Sequence, residues 1–125
     1  MVSGKEAKTL SNMKKYIEVK LDVEGLHSWP NCNIEEVEYL KYMHRHTFSF
    51  QCRAEVTHND RDIEFIEFKH QIKEYIGKKY YNPKYKCCDF TGQSCETLAE
   101  EVLKEFKLCR CSVSEDNEFW GIIEL

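Results

Sequence analysis

The sequence predicts an α+β fold, a four-stranded antiparallel sheet with two helices on one face, in the order strand, strand, helix, helix, strand, strand. Three observations carry this. Two stretches in the first half alternate apolar with polar residues, as half-buried strands do. Two later stretches space their apolar residues as helices do, and the second opens on a capping signal. From Leu108 to Leu125 the alternation returns on both sides of a turn.

Taken in order, residues 1–12 are polar, lack periodicity and precede a second methionine, Met13; they read as a disordered leader or an expression remnant. Residues 13–125 are expected to form one domain, since a chain of 125 residues can bury one real core and is too short for two. Ile17, Val19, Leu21 and Val23 mark a first strand over residues 14–24, and His27 continues their odd parity beyond Gly25, where the chain can bend. Residues 25–43 form a long connection that contains Trp29-Pro30-Asn31-Cys32-Asn33 and an acidic, aromatic stretch from Glu35 to Tyr42. Connections of this length are usually functional or disordered. A second strand, His46 to His58, turns Phe48, Phe50, Cys52, Ala54 and Val56 to one side and ends at the turn pair Asn59-Asp60.

Ile63, Ile66, Phe68, Ile72, Tyr75 and Ile76 approximate helical spacing, with Phe65 leaving the first turn between strand and helix, and Gly77 supplies a stop. The connection from Lys78 to Lys86 mixes bases with aromatics, a combination that can stack on a nucleotide but is more often a solvated loop. Ser94 is an N-cap with Glu96 in the first turn behind it, and Leu98, Ala99, Val102 and Phe106 form the apolar face of the second helix. The last strands, Leu108–Ser114 and Glu118–Leu125, meet at Asp116-Asn117 in a tight hairpin, and Glu115 continues the parity of Cys109, Cys111 and Val113.

His44 and His46 open the second strand on the parity of its apolar row. If the first two strands pair antiparallel over a common core, His27 meets both at one end of the sheet. Polar side chains on the core side of a strand need a reason. Either they are satisfied by hydrogen bonds or they hold a metal. Three neutral imidazoles suit zinc and leave its fourth tetrahedral position open, as in a catalytic site.

Composition narrows the classes. A net charge of −4, with 32% charged and 42% hydrophobic residues, is not the strongly basic balance that would argue for nucleic acid. No apolar run approaches the roughly 18 residues of a membrane span, and the N-terminus lacks a signal-peptide core. Seven cysteines, an odd number with a vicinal pair at Cys87-Cys88, suit free thiols in a reducing compartment, so a cytoplasmic location is expected.

Taken together, His27 followed by His44-Arg45-His46, Glu64-Phe65 before the first helix, Ser94-Cys95-Glu96-Thr97-Leu98-Ala99 at the second, and Val113-Ser114-Glu115 near the end resemble the tunnelling-fold family. The similarity is greatest to 6-pyruvoyltetrahydropterin synthase and 6-carboxytetrahydropterin synthase and spans residues 14–125. It implies that His27, His44 and His46 hold zinc. It also implies that Glu115 anchors the guanidine-like edge of a pterin, two acceptor oxygens facing two N–H donors. By its residues alone, Glu115 would equally pass for a solvated turn carboxylate. Joined sheets of several subunits, most simply a homohexamer built as a dimer of trimers, are implied as well. Two alternating outer strands, Met13–Val23 and Glu118–Leu125, would otherwise present unprotected edges, although charges such as Glu18, Lys20 and Asp22 could protect a monomer.

The chain departs from the pattern at its chemistry. The family's cysteine positions before the His-x-His pair hold Leu40 and Glu38, and no Asp-His pair follows the first helix. Cys32, which also reads as an ordinary loop cysteine, and Glu38 are the candidate catalytic residues in their place. Two functions follow from the resemblance. One is a zinc enzyme of the carbon–oxygen lyase type acting on 7,8-dihydroneopterin triphosphate or a related pterin, in biopterin or queuosine-type synthesis. The other is a non-catalytic module that binds or sequesters a pterin, purine or nucleotide-like ligand.

Overall fold

Strand β1 (Lys15–His27) and strand β2 (His44–Val56) pair antiparallel along their whole length in a computed structural model that describes residues 12–125. Apart from its last residue, the expected leader lies outside the described residues. β1 runs through Gly25 without bending. A Cβ there would lie 2.4 Å from Cε2 of Phe90, so this glycine supplies room for a ring rather than a turn. The register sets Lys15 opposite Val56 and His27 opposite His44.

The connection between them holds a short 3-10 helix, Glu35–Lys41, none of whose residues is buried and whose dihedrals break at Val37. Helix α1 (Phe65–Tyr80) starts where the Glu64 side chain accepts from the amides of Ile66 and Glu67, which settles its ambiguous first turn. Phe68, Ile72 and Ile76 are its buried residues. Gly77 does not stop it; the helix continues to Tyr80, and the Tyr81 amide donates to the Gly77 carbonyl.

The predicted sheet of four antiparallel strands needs correction. Two short strands, β3 (Tyr81–Asn82) and β4 (Cys87–Asp89), occupy the segment read as a loop, so the order strand, strand, helix, helix, strand, strand does not hold. The sheet has six strands in the order β3-β4-β1-β2-β5-β6 and is mixed, because β4 runs parallel to β1 at Gly25–Cys88 and Leu26–Asp89. Strands of two and three residues are too short for alternation to show, and a parallel contact is made only when the fold closes.

Helix α2 (Cys95–Phe106) starts as expected, the Ser94 hydroxyl accepting from the Thr97 amide. Strands β5 (Arg110–Glu115) and β6 (Phe119–Glu124) follow. Between them Asp116 and Asn117 both take positive φ (55° and 59°), and the Glu118 amide donates to the Glu115 carbonyl, which closes the tight turn. Both helices cover the face of the sheet that carries Leu21, Phe48, Phe50 and Val113, all at most 2% exposed. Burying each such side chain contributes about 1.5–3 kcal/mol. No helix among the described residues is long and apolar enough to cross a membrane.

Candidate metal centre and adjoining cavity

The β1–β2 register sets His27 against His44 and Gly25 against His46, so the three imidazoles gather at one end of the covered face. Their centroids are 4.5, 5.3 and 4.9 Å apart, and one nitrogen from each lies within 4.8 Å of the others. The opposite ring nitrogens are all engaged. Nδ1 of His44 meets the Tyr42 carbonyl at 2.8 Å, Nδ1 of His46 meets Asp116 Oδ2 at 2.6 Å, and Nδ1 of His27 meets the Gln93 carbonyl at 3.4 Å.

Carbonyl and carboxylate oxygens only accept, so a proton on Nδ1 satisfies these contacts at His44 and His46 and leaves their Nε2 atoms with a lone pair. At His27 the proton has two acceptors to choose between, the Gln93 carbonyl beside Nδ1 and Glu115 Oε1, 3.1 Å from Nε2. All three Nε2 atoms are buried and have no hydrogen-bond partner; among the described residues only the hydroxyl of Ser114 shares that condition. Buried unpaired polar atoms are costly, roughly 1–3 kcal/mol each. Three convergent ones form a group that could hold a metal ion.

Glu115, at the end of β5, strengthens this. Its Oε1 is 3.1 Å from Nε2 of His27 and its Oε2 is 3.5 Å from Nε2 of His46. With the protons on Nδ1, acceptors face acceptors there, an arrangement that a positive charge between them relieves.

A cavity of about 380 Å³ opens beside the triad, with Trp29, Phe119 and Trp120 among its walls and Glu96 and Glu115 as its acids. The Cys95 thiol also faces it, 3.9 Å from Glu115 Oε1; burial, with Glu115 and Glu96 adding to it, pushes that thiol up to about 12. Gly121 lets β6 reach the start of α2, because a Cβ there would lie 2.7 Å from the Glu96 amide nitrogen. Thr91 sits at φ 55°, uncommon for a β-branched residue, and shapes the loop that carries Gln93 to His27.

The candidate catalytic residues are elsewhere. Cys32 is buried beside the 3-10 helix, its thiol directed to the carbonyls of Val37 (3.6 Å) and Ile34 (3.8 Å), and it does not line the cavity. Glu38 is exposed and pairs with Lys41 at 3.2 Å. Leu40 does line the cavity. Sequence reasoning missed Asp116, Gln93 and Cys95. Asp116 was visible only as turn chemistry and Cys95 only as the neighbour of a cap, while Gln93 acts through a backbone carbonyl that any residue would supply.

The fold and site describe an α+β protein with a histidine triad at one end of its sheet. No protein-family model matches the chain, and no curated protein matches it by sequence. By structure, the chain is similar to 6-pyruvoyl tetrahydropterin synthase of Caenorhabditis elegans (TM-score 0.66, 8% identity, 90% of this chain and 96% of that one). It is also similar to 6-pyruvoyl tetrahydropterin synthase of Plasmodium falciparum (TM-score 0.57, 15% identity, 91% and 99%). The fold is therefore the one shared by the family that the motifs resemble.

Proposed function

We propose that this protein holds zinc at His27, His44 and His46 and binds a pterin, or a heterocycle with the same guanidine-like edge, in the adjoining cavity. The observation that carries this is the set of three buried, unpartnered Nε2 atoms, each oriented by an engaged Nδ1. Zinc accepts three neutral imidazoles and keeps a fourth position open. When bound, it would polarise a ligand oxygen as a Lewis acid. The chain's own residues do the rest. Glu115 offers two acceptor oxygens to adjacent N–H donors, and Trp29, Phe119 and Trp120 offer flat apolar surfaces to a planar ring. That the two solved structures named above are 6-pyruvoyl tetrahydropterin synthases favours a pterin among planar ligands.

Binding is better supported than turnover of 7,8-dihydroneopterin triphosphate. Cys32 and Glu38 could carry protons only if the segment around the 3-10 helix moved, and a thiol held as high as that of Cys95 is a poor base. Metal analysis is expected to find about one zinc per chain. Calorimetric titration with 7,8-dihydroneopterin triphosphate should saturate, and Glu115→Gln should weaken it. A zinc-free native protein, or unchanged binding in that variant, would overturn the reading. A turnover assay on the same preparation should show weak or no conversion, and robust conversion would restore the synthase reading.

A trimer-based assembly, in full a homohexamer, belongs to the same proposal. β4 covers β1 only at Gly25 and Leu26, so the rest of that edge, like the outer edge of β6 with its exposed Phe119 and Ile122, has no ladder partner among the described residues. Light scattering that returns a single chain's mass would rule it out. All seven cysteines are free, which supports a reducing, cytoplasmic setting.

A further inference from the structure

The three histidines are oriented by different means. Backbone carbonyls hold His27 and His44, and no substitution removes a carbonyl. Of the three Nδ1 atoms, only that of His46 faces a side chain, Asp116 Oδ2, at the shortest of the three distances. The other oxygen of that carboxylate accepts from the Thr47 amide at 2.9 Å, and the Asp116 amide donates to the Thr47 carbonyl at 2.8 Å. Asp116 is thereby locked onto the start of β2, with its second oxygen directed at the ring. On the far side of the same ring stands Glu115, its Oε2 3.5 Å from Nε2. His46 is held between consecutive carboxylates, and it can direct its proton to either. A proton on Nδ1, toward Asp116, leaves Nε2 free to ligate; a proton on Nε2, toward Glu115, removes the ligand.

We propose that Asp116 is the positioning residue of the metal centre, holding His46 in the one tautomer that can ligate and so setting the site's affinity for zinc. The proposal rests on the metal reading above. A carboxylate behind a metal-binding imidazole fixes its tautomer and raises its basicity, an effect worth roughly 10–100-fold in metal affinity. An amide cannot replace it. Asparagine at 116 would suit the positive φ and keep an oxygen for the Thr47 amide. Its NH₂ would then face Nδ1 of His46, which must become the acceptor, and the proton would move to Nε2.

Asp116→Asn in the full chain is the test, with zinc affinity measured by competition against a chromophoric chelator. We expect a loss of about 10–100-fold while the melting temperature of the metal-free protein stays unchanged. Nitrogen-15 NMR of the imidazoles in metal-free protein gives a readout independent of metal. It should show the Nδ1–H tautomer of His46 in the native chain and the Nε2–H tautomer in Asp116→Asn. If the asparagine variant fails to fold, Asp116→Ser, which keeps a short acceptor at the turn, should lose zinc affinity alike. Affinity within about twofold of native, or a native His46 already protonated at Nε2, overturns the role of Asp116. A native protein that takes up no zinc overturns the metal reading itself, so the two failures are distinguishable.

Discussion

Two half-buried polar clusters interrupt the apolar interior, and they differ in one respect. Around Glu101, between the helices, every acceptor has a donor: Oε1 accepts from Tyr80 (2.5 Å), and Oε2 accepts from Tyr75 (2.9 Å) and Lys79 (2.9 Å). Around His27, His44 and His46 the Nδ1 atoms are engaged and the Nε2 atoms are not. Gln93 touches both clusters, its side-chain amide donating to the Tyr80 hydroxyl and its carbonyl meeting His27. A polar cluster that closes on itself holds elements together. One that stops an atom short on every member has room for an ion, and that is where the proposed zinc would sit.

The largest expected effect is on the open cluster. His46→Ala should lower bound zinc from about one per chain to none, since two imidazoles no longer make a site, whereas Glu101→Gln should leave the content unchanged. Atomic absorption on both variants checks the contrast; zinc retained without His46 would erase it.

Next comes the apolar floor beneath the triad. An added methyl at Gly25, opposite His46, must displace the Phe90 ring, so Gly25→Ala should destabilise the fold by about 1–3 kcal/mol in urea denaturation.

The closed cluster should respond less. Burial pushes the Glu101 carboxyl up, but hydrogen bonds from Tyr80, Lys79 and Tyr75 outweigh it and hold the group below the usual range. A carboxyl depressed in the folded state adds stability above its unfolded value, about 4.3, and that stability is lost as pH falls through the lower folded value. Glu101→Gln should therefore cost about 1–2 kcal/mol at neutral pH and progressively less in acid, measured as the difference between denaturation curves. An equal cost at both pH values would mean that packing, not charge, matters at this site.

The smallest effects should come from the connection between β1 and β2. Cys32→Ala and Glu38→Gln should leave zinc content and pterin affinity within about twofold of native, because neither side chain lines the cavity. A sharp loss in either would show that this segment closes over the ligand.

Much of the candidate site could be read without coordinates. Alternation has a period of two, so parity alone assigns a face to His27, His44, His46 and Glu115 once the strands are recognised. Caps and turns act over three or four residues, which is why Ser94 and Asp116-Asn117 were recognisable. The same local reasoning misjudged both Gly25 and Gly77. A glycine signals permissiveness, but whether it serves a bend, a helix end or a neighbour's ring depends on a residue as remote as Phe90.

What this sequence determined by itself is therefore what short-range periodicity encodes: strand faces, helix starts, the hairpin turn and the histidines that share a side. The tertiary structure alone decided the rest. It added β3 and β4 through a parallel contact with β1, turned Cys32 and Glu38 away from the cavity, and brought Asp116 to a ring seventy residues earlier in the chain. Such contacts form between segments with no common period, so they are settled by the packing of the whole chain and leave no mark on either segment alone.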